Sequence, residues 1–293
     1  MSTIPIAAAV EDRATKNLSD YWALAKPEVN FLVALTAAAA FRAGSPAGAL
    51  HFPWLLFFDT VLGTLLVAGG AGVLNQWMER RFDAKMRRTA RRPIAAGRVQ
   101  PARALAFGAV LSLIGVLYLA LAVRPAASLL ALLTLDWYLL LYTPLKRRTP
   151  LCTLVGVFPG AMPVAIGYVA AAGKLDMRAW LLYAILLLWQ LPHFMAIAWM
   201  YREDYDRAGY FVLPQGNRRL AFVIWQTVLP LLALIPIALL VAPAAAALPL
   251  TLGFLYYGMR FASRRSNADA RKLLFASILY LPALFGVAVL AGR

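Results

Sequence analysis

The sequence predicts an all-α, polytopic membrane protein of about nine transmembrane helices. Three observations carry this. The 293 residues are 62% hydrophobic and only 14% charged, against about 25% charge in a soluble domain. Apolar runs of roughly 20 residues, long enough to cross a bilayer as helices, recur along the chain. The alternating pattern of a membrane β-barrel is missing.

The candidate spans are 24–42, 54–78, 102–123, 126–145, 151–172, 179–200, 219–241, 244–262 and 273–291. Glu28, Asn30 and Arg42 trim the first, Pro192 is expected to kink the sixth, and Pro249 falls in the eighth. With the N-terminus inside, the inner segments hold 24 of the 29 Lys and Arg residues and the outer ones hold 5. This asymmetry predicts an inside N-terminus and an outside C-terminus. It also accounts for the net charge of +16 without nucleic acid as a partner. Residues 1–23 read as a cytoplasmic segment without a signal-peptide pattern, and 24–293 as one membrane domain. Cys152 is the only cysteine, so no disulfide forms within the chain.

The inner loops carry the chemistry. In 75-NQWMERRFDAKMRRTARRPIAAGRV-99, Asn75, Glu79 and Asp83 are spaced i, i+4, i+8. A second span that runs on past the membrane edge places all three on one helical face. Three oxygen donors there suit a hard cation such as Mg²⁺, with phosphate oxygens and water completing its shell. Lys85, Arg87, Arg88, Arg91 and Arg92 follow, and guanidinium groups beside a metal are what a diphosphate needs. The alternative is ordinary surface pairing of the two acids with Arg80, Lys85 and Arg87. In 201-YREDYDRAG-209, Glu203, Asp204 and Asp206 form a second acid cluster, either for a second metal ion or to neutralise Arg202 and Arg207. In 142-YTPLKRRTP-150, Lys146, Arg147 and Arg148 are either anchors at the inner face or steadying charges for a departing diphosphate. His193, Asp59 and Asp136 lie within spans, where ionisable groups usually face an interior cavity. His51 sits in an outer loop and has no evident role.

Residues 75–99, 142–150, 153-TLVGVFPGAMPVAIGYVAAAG-173, 189-WQLPHFMAIAWMYREDYDRAG-209 and the LP at 213–214 together resemble the protohaem IX farnesyltransferase (haem O synthase) family of the UbiA-type intramembrane prenyltransferases. The resemblance implies nine helices around a central cavity, in a bacterial inner membrane, with catalytic loops at the cytoplasmic face. It implies farnesyl transfer from farnesyl diphosphate to a vinyl group of haem b, with Mg²⁺ as cofactor. It matches Asn75, Glu79 and Asp83 to the first metal–diphosphate motif, and Arg88 and Arg92 to the element that follows it; the basic loops add Lys146 to the expected catalytic residues and Lys85, Arg147, Arg148 and Arg202 to the expected diphosphate ligands. Metal binding falls to Asn75, Glu79, Asp83, Glu203 and Asp204, and haem contact to His193. It leaves room for a haem-handling membrane partner or a homo-oligomer. Two departures stand out: Tyr201 and Tyr205 occupy the register of the DxxxD acids in quinone-pathway relatives, and Cys152 replaces an expected Asn. A quinone-precursor prenyltransferase, a haem carrier without chemistry and a structural respiratory subunit are the competing readings.

Overall fold

The computed structural model describes residues 18–46, 51–216 and 218–291. Most of the expected cytoplasmic segment, and Arg293 of the outer charge count, lie outside the described residues. Among the described residues every regular element is helical.

Helix α1 (Leu18–Leu24) and α2 (Pro27–Gly44) meet at a 50° bend. The expected first span is therefore a broken one. Pro27 disfavours the α conformation in the residue before it, and Lys26 takes the left-handed conformation at φ 51°. That backbone costs about 1–2 kcal/mol for a side chain with a Cβ. Asn30 offsets part of this by donating its side-chain amide to the Ala25 carbonyl.

Helix α3 (Trp54–Asp83) has 30 residues and so measures about 45 Å, against about 30 Å of hydrocarbon. Its last turns stand clear of the membrane core and carry Asn75, Glu79 and Asp83, as the spacing predicts. Helix α4 (Pro101–Tyr118) ends in a π-helical turn over Leu119–Val123. Helix α5 (Pro125–Asp136) runs through a second π-helical stretch, Trp137–Tyr142, into the short α6 (Thr143–Leu145). Then come α7 (Cys152–Ala172), α8 (Met177–Met200), the seven-residue α9 (Arg202–Ala208), α10 (Arg218–Val241), α11 (Ala244–Arg264) and α12 (Asn267–Leu290). Helix α8 continues through Pro192 as one helix, so the expected kink does not break it.

Among the described residues seven helices are long and apolar enough to cross a membrane, and the α1–α2 pair makes an eighth. Helix α11 is the eighth expected span and falls short in apolarity, because Thr251, Tyr256, Tyr257 and Arg260 dilute it. Its neighbours nonetheless fix its course. Arg202, just after α8, bonds Asn267 at the start of α12, so those two ends lie together. Helix α10 leads away from that face, and only α11 returns the chain to it.

Helix α7 is the most enclosed span, packed against α2, α5 and α8. Lipid tails are as apolar as leucine, so helix association in a bilayer depends on close packing at small residues. At Gly167 a Cβ would run into the Ala37 carbonyl of α2. At Gly115 of α4 it would lie 2.7 Å from the Val67 nitrogen of α3. The main apolar core gathers α7, α8, α10, α11 and α12, while leucines on the outer faces, such as Leu113, Leu132 and Leu279, are exposed towards lipid.

A candidate active site where three loops meet

Each step of four residues along α3 turns the side chain only slightly, so Asn75, Glu79 and Asp83 form one ridge. All three are buried, Asp83 to 1% exposure. Neither acid takes the surface partners of the alternative reading. Glu79 accepts Lys146 Nζ at 2.9 and 3.2 Å on its two oxygens. Asp83 accepts Arg92 Nη1 at 2.9 and 2.8 Å. Lys85, Arg87 and Arg88 are exposed, and Arg80 turns back to the Trp77 carbonyl.

Two residues of the ridge's surroundings were not singled out from the sequence. Lys26 donates to Asn75 Oδ1 at 3.4 Å, and Thr143 accepts the Asn75 amide at 3.2 Å. Lys26 reaches the site because the α1–α2 elbow is tied down: Gln76 of α3 donates to the Leu24 carbonyl at 2.7 Å. The only signal for Lys26 is a cation before a proline at the head of an apolar run.

Three loops converge on this ridge. The loop from 84 to 100 brings Arg92. Its backbone is held from below by Thr89, whose hydroxyl donates to the Asp83 carbonyl at 2.9 Å. Asp204 of α9 reaches across and accepts the backbone N–H groups of Arg87 and Arg88 at 3.2 and 3.1 Å, plus Arg207 at 3.1 Å. Burial alone would push the Asp204 carboxyl up; these hydrogen bonds and the Arg207 charge overcome it and hold it below the usual carboxylate range. The third loop joins through Phe211, whose N–H donates to the Lys146 carbonyl at 2.8 Å. Burial acts to lower the Lys146 amine, but the Glu79 carboxylate outweighs it and raises it well above its ordinary value.

A cavity of about 30 Å³ lies against the ridge, lined by Met78, Glu79, Phe82, Thr143, Pro144, Arg147 and Tyr210. The Tyr210 hydroxyl is buried there without a hydrogen-bond partner among the described residues. Burial and the neighbouring Glu79 charge both raise it above the ordinary phenol range. A larger cavity of about 450 Å³, with Arg42, Phe52, Trp54 and Phe57 in its wall, sits at the opposite end of α3 and has no acid in its lining.

The remaining sequence candidates are dispersed. Glu203 and Arg148 are exposed. Arg202 is committed to the Trp199 carbonyl and Asn267. Arg147 lies over Phe82 at 4.8 Å and Arg88 over Tyr201 at 5.1 Å. His193 stands deeper, seven residues before the end of α8, beside Trp189 and Ser277. Asp59 is paired with the Tyr118 hydroxyl at 2.6 Å, while Asp136 is exposed.

This arrangement is suited to a polyanion. Lys26, Lys146 and Arg92 surround two carboxylates in a buried setting, with Arg147 at the rim. Among the described residues no three His, Cys, Asp or Glu side chains converge closely enough to hold a metal ion. The donor set of the ridge is instead two carboxylates and an amide. Such oxygen donors fit a hard cation that keeps positions for water and phosphate oxygens.

Comparison with known proteins identifies the family. Residues 31–279 match the UbiA prenyltransferase family. A protoheme IX farnesyltransferase from Solibacter usitatus is 43% identical over 93% of this chain and 98% of its own. The protoheme IX farnesyltransferase from Salinibacter ruber is also 43% identical, over 91% of this chain and 96% of its own. A UbiA homolog from Archaeoglobus fulgidus, solved bound to GPP and Mg²⁺, superposes with a TM-score of 0.66 at 14% identity, covering 92% of this chain and 99% of that one. The chain belongs to the UbiA prenyltransferase family and groups there with the protoheme IX farnesyltransferases.

Proposed function

We propose that this protein transfers a farnesyl group from farnesyl diphosphate to a vinyl group of haem b, giving haem O and diphosphate. The observation that carries the reading is the buried Asn75–Glu79–Asp83 ridge ringed by Lys26, Lys146 and Arg92, in a chain whose relatives are protoheme IX farnesyltransferases.

Cleavage of the allylic C–O bond places a full unit of extra negative charge on the leaving diphosphate. Stabilisation of that charge by preorganised groups is the main catalytic demand. Lys146 and Arg92 supply fixed cations, Lys26 adds a hydrogen-bond donor beside Asn75, and Arg147 adds a cation at the rim. Held by Asn75, Glu79 and Asp83, Mg²⁺ would supply Lewis-acid stabilisation of the diphosphate. Asp204 serves by holding the 84–100 loop in place, and Glu203 is left exposed to solvent. The apolar helix walls keep water from the farnesyl cation until the haem vinyl carbon attacks it. That attack uses the vinyl π electrons, so it needs no strong base, and water then completes the hydroxyethylfarnesyl group. His193, within the membrane, is the haem-contacting residue in this reading.

Residues 24–293 act as one transmembrane domain. The 84–100 loop, the loop after α6 and the α9 region face the cytoplasm of a bacterial inner membrane, an orientation supported by the inner-loop charge asymmetry.

The test is product analysis by mass spectrometry. Purified protein is incubated with haem b, farnesyl diphosphate and Mg²⁺, with a chelator control. A Mg²⁺-dependent haem species enlarged by farnesyl plus water is expected. Haem binding without product would support a carrier instead. Prenylation of a quinone precursor with haem left untouched would move the chain to another acceptor class.

A further inference from the structure

His193 and Ser277 are brought together from α8 and α12, 84 positions apart, with Nδ1 of the imidazole 2.8 Å from the serine oxygen. Ser277 is fully buried. Its hydroxyl has one proton, and that proton is committed: the oxygen donates to the Leu274 carbonyl at 2.6 Å. A carbonyl can only accept, so the short contact requires the serine proton to lie between the two oxygens. Towards His193 the serine oxygen is then an acceptor, and Nδ1 must carry the hydrogen.

The ring is clamped as well as protonated at a chosen atom. Trp189 stacks on it with centroids 4.7 Å apart and planes at 28°. The Trp189 indole N–H donates to the backbone carbonyl of the same Ser277 at 2.7 Å. One residue of α12 thus fixes both the imidazole and the indole that backs it. The opposite nitrogen, Nε2, makes no hydrogen bond among the described residues, and it is not one of the sealed polar atoms. A neutral imidazole with hydrogen on Nδ1 presents a lone pair at Nε2. Histidines that bind metals have this arrangement, with the far N–H held by an acceptor.

We infer that Ser277 is a positioning residue that fixes the His193 tautomer, so that Nε2 is the axial ligand to the iron of the substrate haem. The inference rests on haem b being the acceptor. His193 lies about 10 Å along α8 from its end at Met200. The porphyrin is therefore held within the membrane, below the diphosphate ridge, with a single tether about which its vinyl edge can be oriented. The ligand binds iron and takes no part in bond making, so no proton or electron moves at this site.

The experiment is a titration of the purified full-length protein with ferric and ferrous haem b, read by optical and resonance Raman spectroscopy, alongside the dissociation constant for farnesyl diphosphate measured without haem. Wild type is expected to show an iron–histidine vibration, which His193→Ala abolishes. Ser277→Ala is expected to lower that vibration's frequency and weaken haem binding by about 10- to 100-fold. Ser277→Thr restores both, and the dissociation constant for farnesyl diphosphate, measured without haem, stays unchanged throughout as the control for folding. If Ser277→Ala does not insert, Ser277→Cys, a weaker acceptor, gives the same downward shift to a smaller extent. An unchanged frequency and affinity in the folded Ser277 variants overturns the inference. So does wild type that makes haem O without a histidine vibration, an outcome that leaves the proposed reaction standing. Wild type that neither binds nor modifies haem b removes the acceptor reading itself, and this inference with it.

Discussion

At the scale of single residues, the site is a set of buried charge pairs, and each partner matters twice. Glu79 and Lys146 satisfy each other at 8% and 14% side-chain exposure. Removing one partner of a buried pair leaves the other uncompensated, at about 3–5 kcal/mol. Lys146→Met should therefore lower stability by about that amount, measurable as an earlier unfolding midpoint in detergent, and should abolish turnover. Asp83→Ala should reduce product formation by about 10²-fold or more while the protein still fractionates with membranes; wild-type turnover would remove Asp83 from the site. Lys26→Gln should raise the KM for farnesyl diphosphate by about tenfold, equivalent to about 1.4 kcal/mol, because its amine stands beside Asn75 at the ridge and would contact the diphosphate equally in the ground and transition states. The ridge itself was legible, since i, i+4, i+8 spacing of polar groups beyond an apolar run has one helical meaning. Lys26 was not, because its approach depends on a left-handed backbone and on Gln76 fastening the elbow from another helix. The pairing of each acid was not legible either. Local sequence favoured Arg80, Lys85 and Arg87, whereas the fold supplies Lys146 from 67 positions away.

At the scale of elements, Asp204 joins α9 to the 84–100 loop through two backbone N–H groups. Its carboxyl lies below its ordinary value of 3.8. A depressed acid contributes stability that is complete above the ordinary value and is lost as pH falls through the lower folded one. Protection of the Arg87 and Arg88 amides, relative to exchange in an unstructured chain at the same pH, should thus persist at neutral pH and be lost only below about pH 4. Asp204→Ala should show fast exchange at those amides at every pH; protection that survives the substitution would rule out this joint. From the sequence these acids looked equally like metal ligands or local ion-pair partners. Telling an anchor from a ligand required knowing which backbone lay opposite. Helix packing was likewise hidden: Gly167 reads as one small residue among many in α7, yet it lies against the Ala37 carbonyl. Gly167→Ala should cost about 1–3 kcal/mol, checked by thermal unfolding, with Gly253, which has open space around it, as an indifferent control.

At the scale of the whole molecule, apolar run length and loop charge were enough to foresee a helical bundle, with α11 its least apolar member. The exception is physical. Helix α11 sits between α10 and α12, and Thr251 is bonded within the protein rather than presented to lipid, so it can carry polar groups that a free-standing span could not. Orientation can be tested with the sole cysteine removed by Cys152→Ser. A cysteine introduced at Lys85 should then react with an impermeant maleimide only from the cytoplasmic side, and one at Lys174 only from the other. The reverse pattern would invert the topology.

The hydrogen bonds from Arg87 and Arg88 to Asp204 have a consequence for biogenesis. The ridge of α3 leaves the ribosome early, but the residue that holds the overlying loop emerges more than a hundred positions later. A nascent chain halted before residue 204 carries Asn75, Glu79 and Asp83 without an organised lid of arginines above them. Competence to bind a prenyl diphosphate therefore arises late in synthesis, when α8 has entered the bilayer and α9 has closed over the loop. Until then a half-made protein has no assembled site in which to ionise its donor.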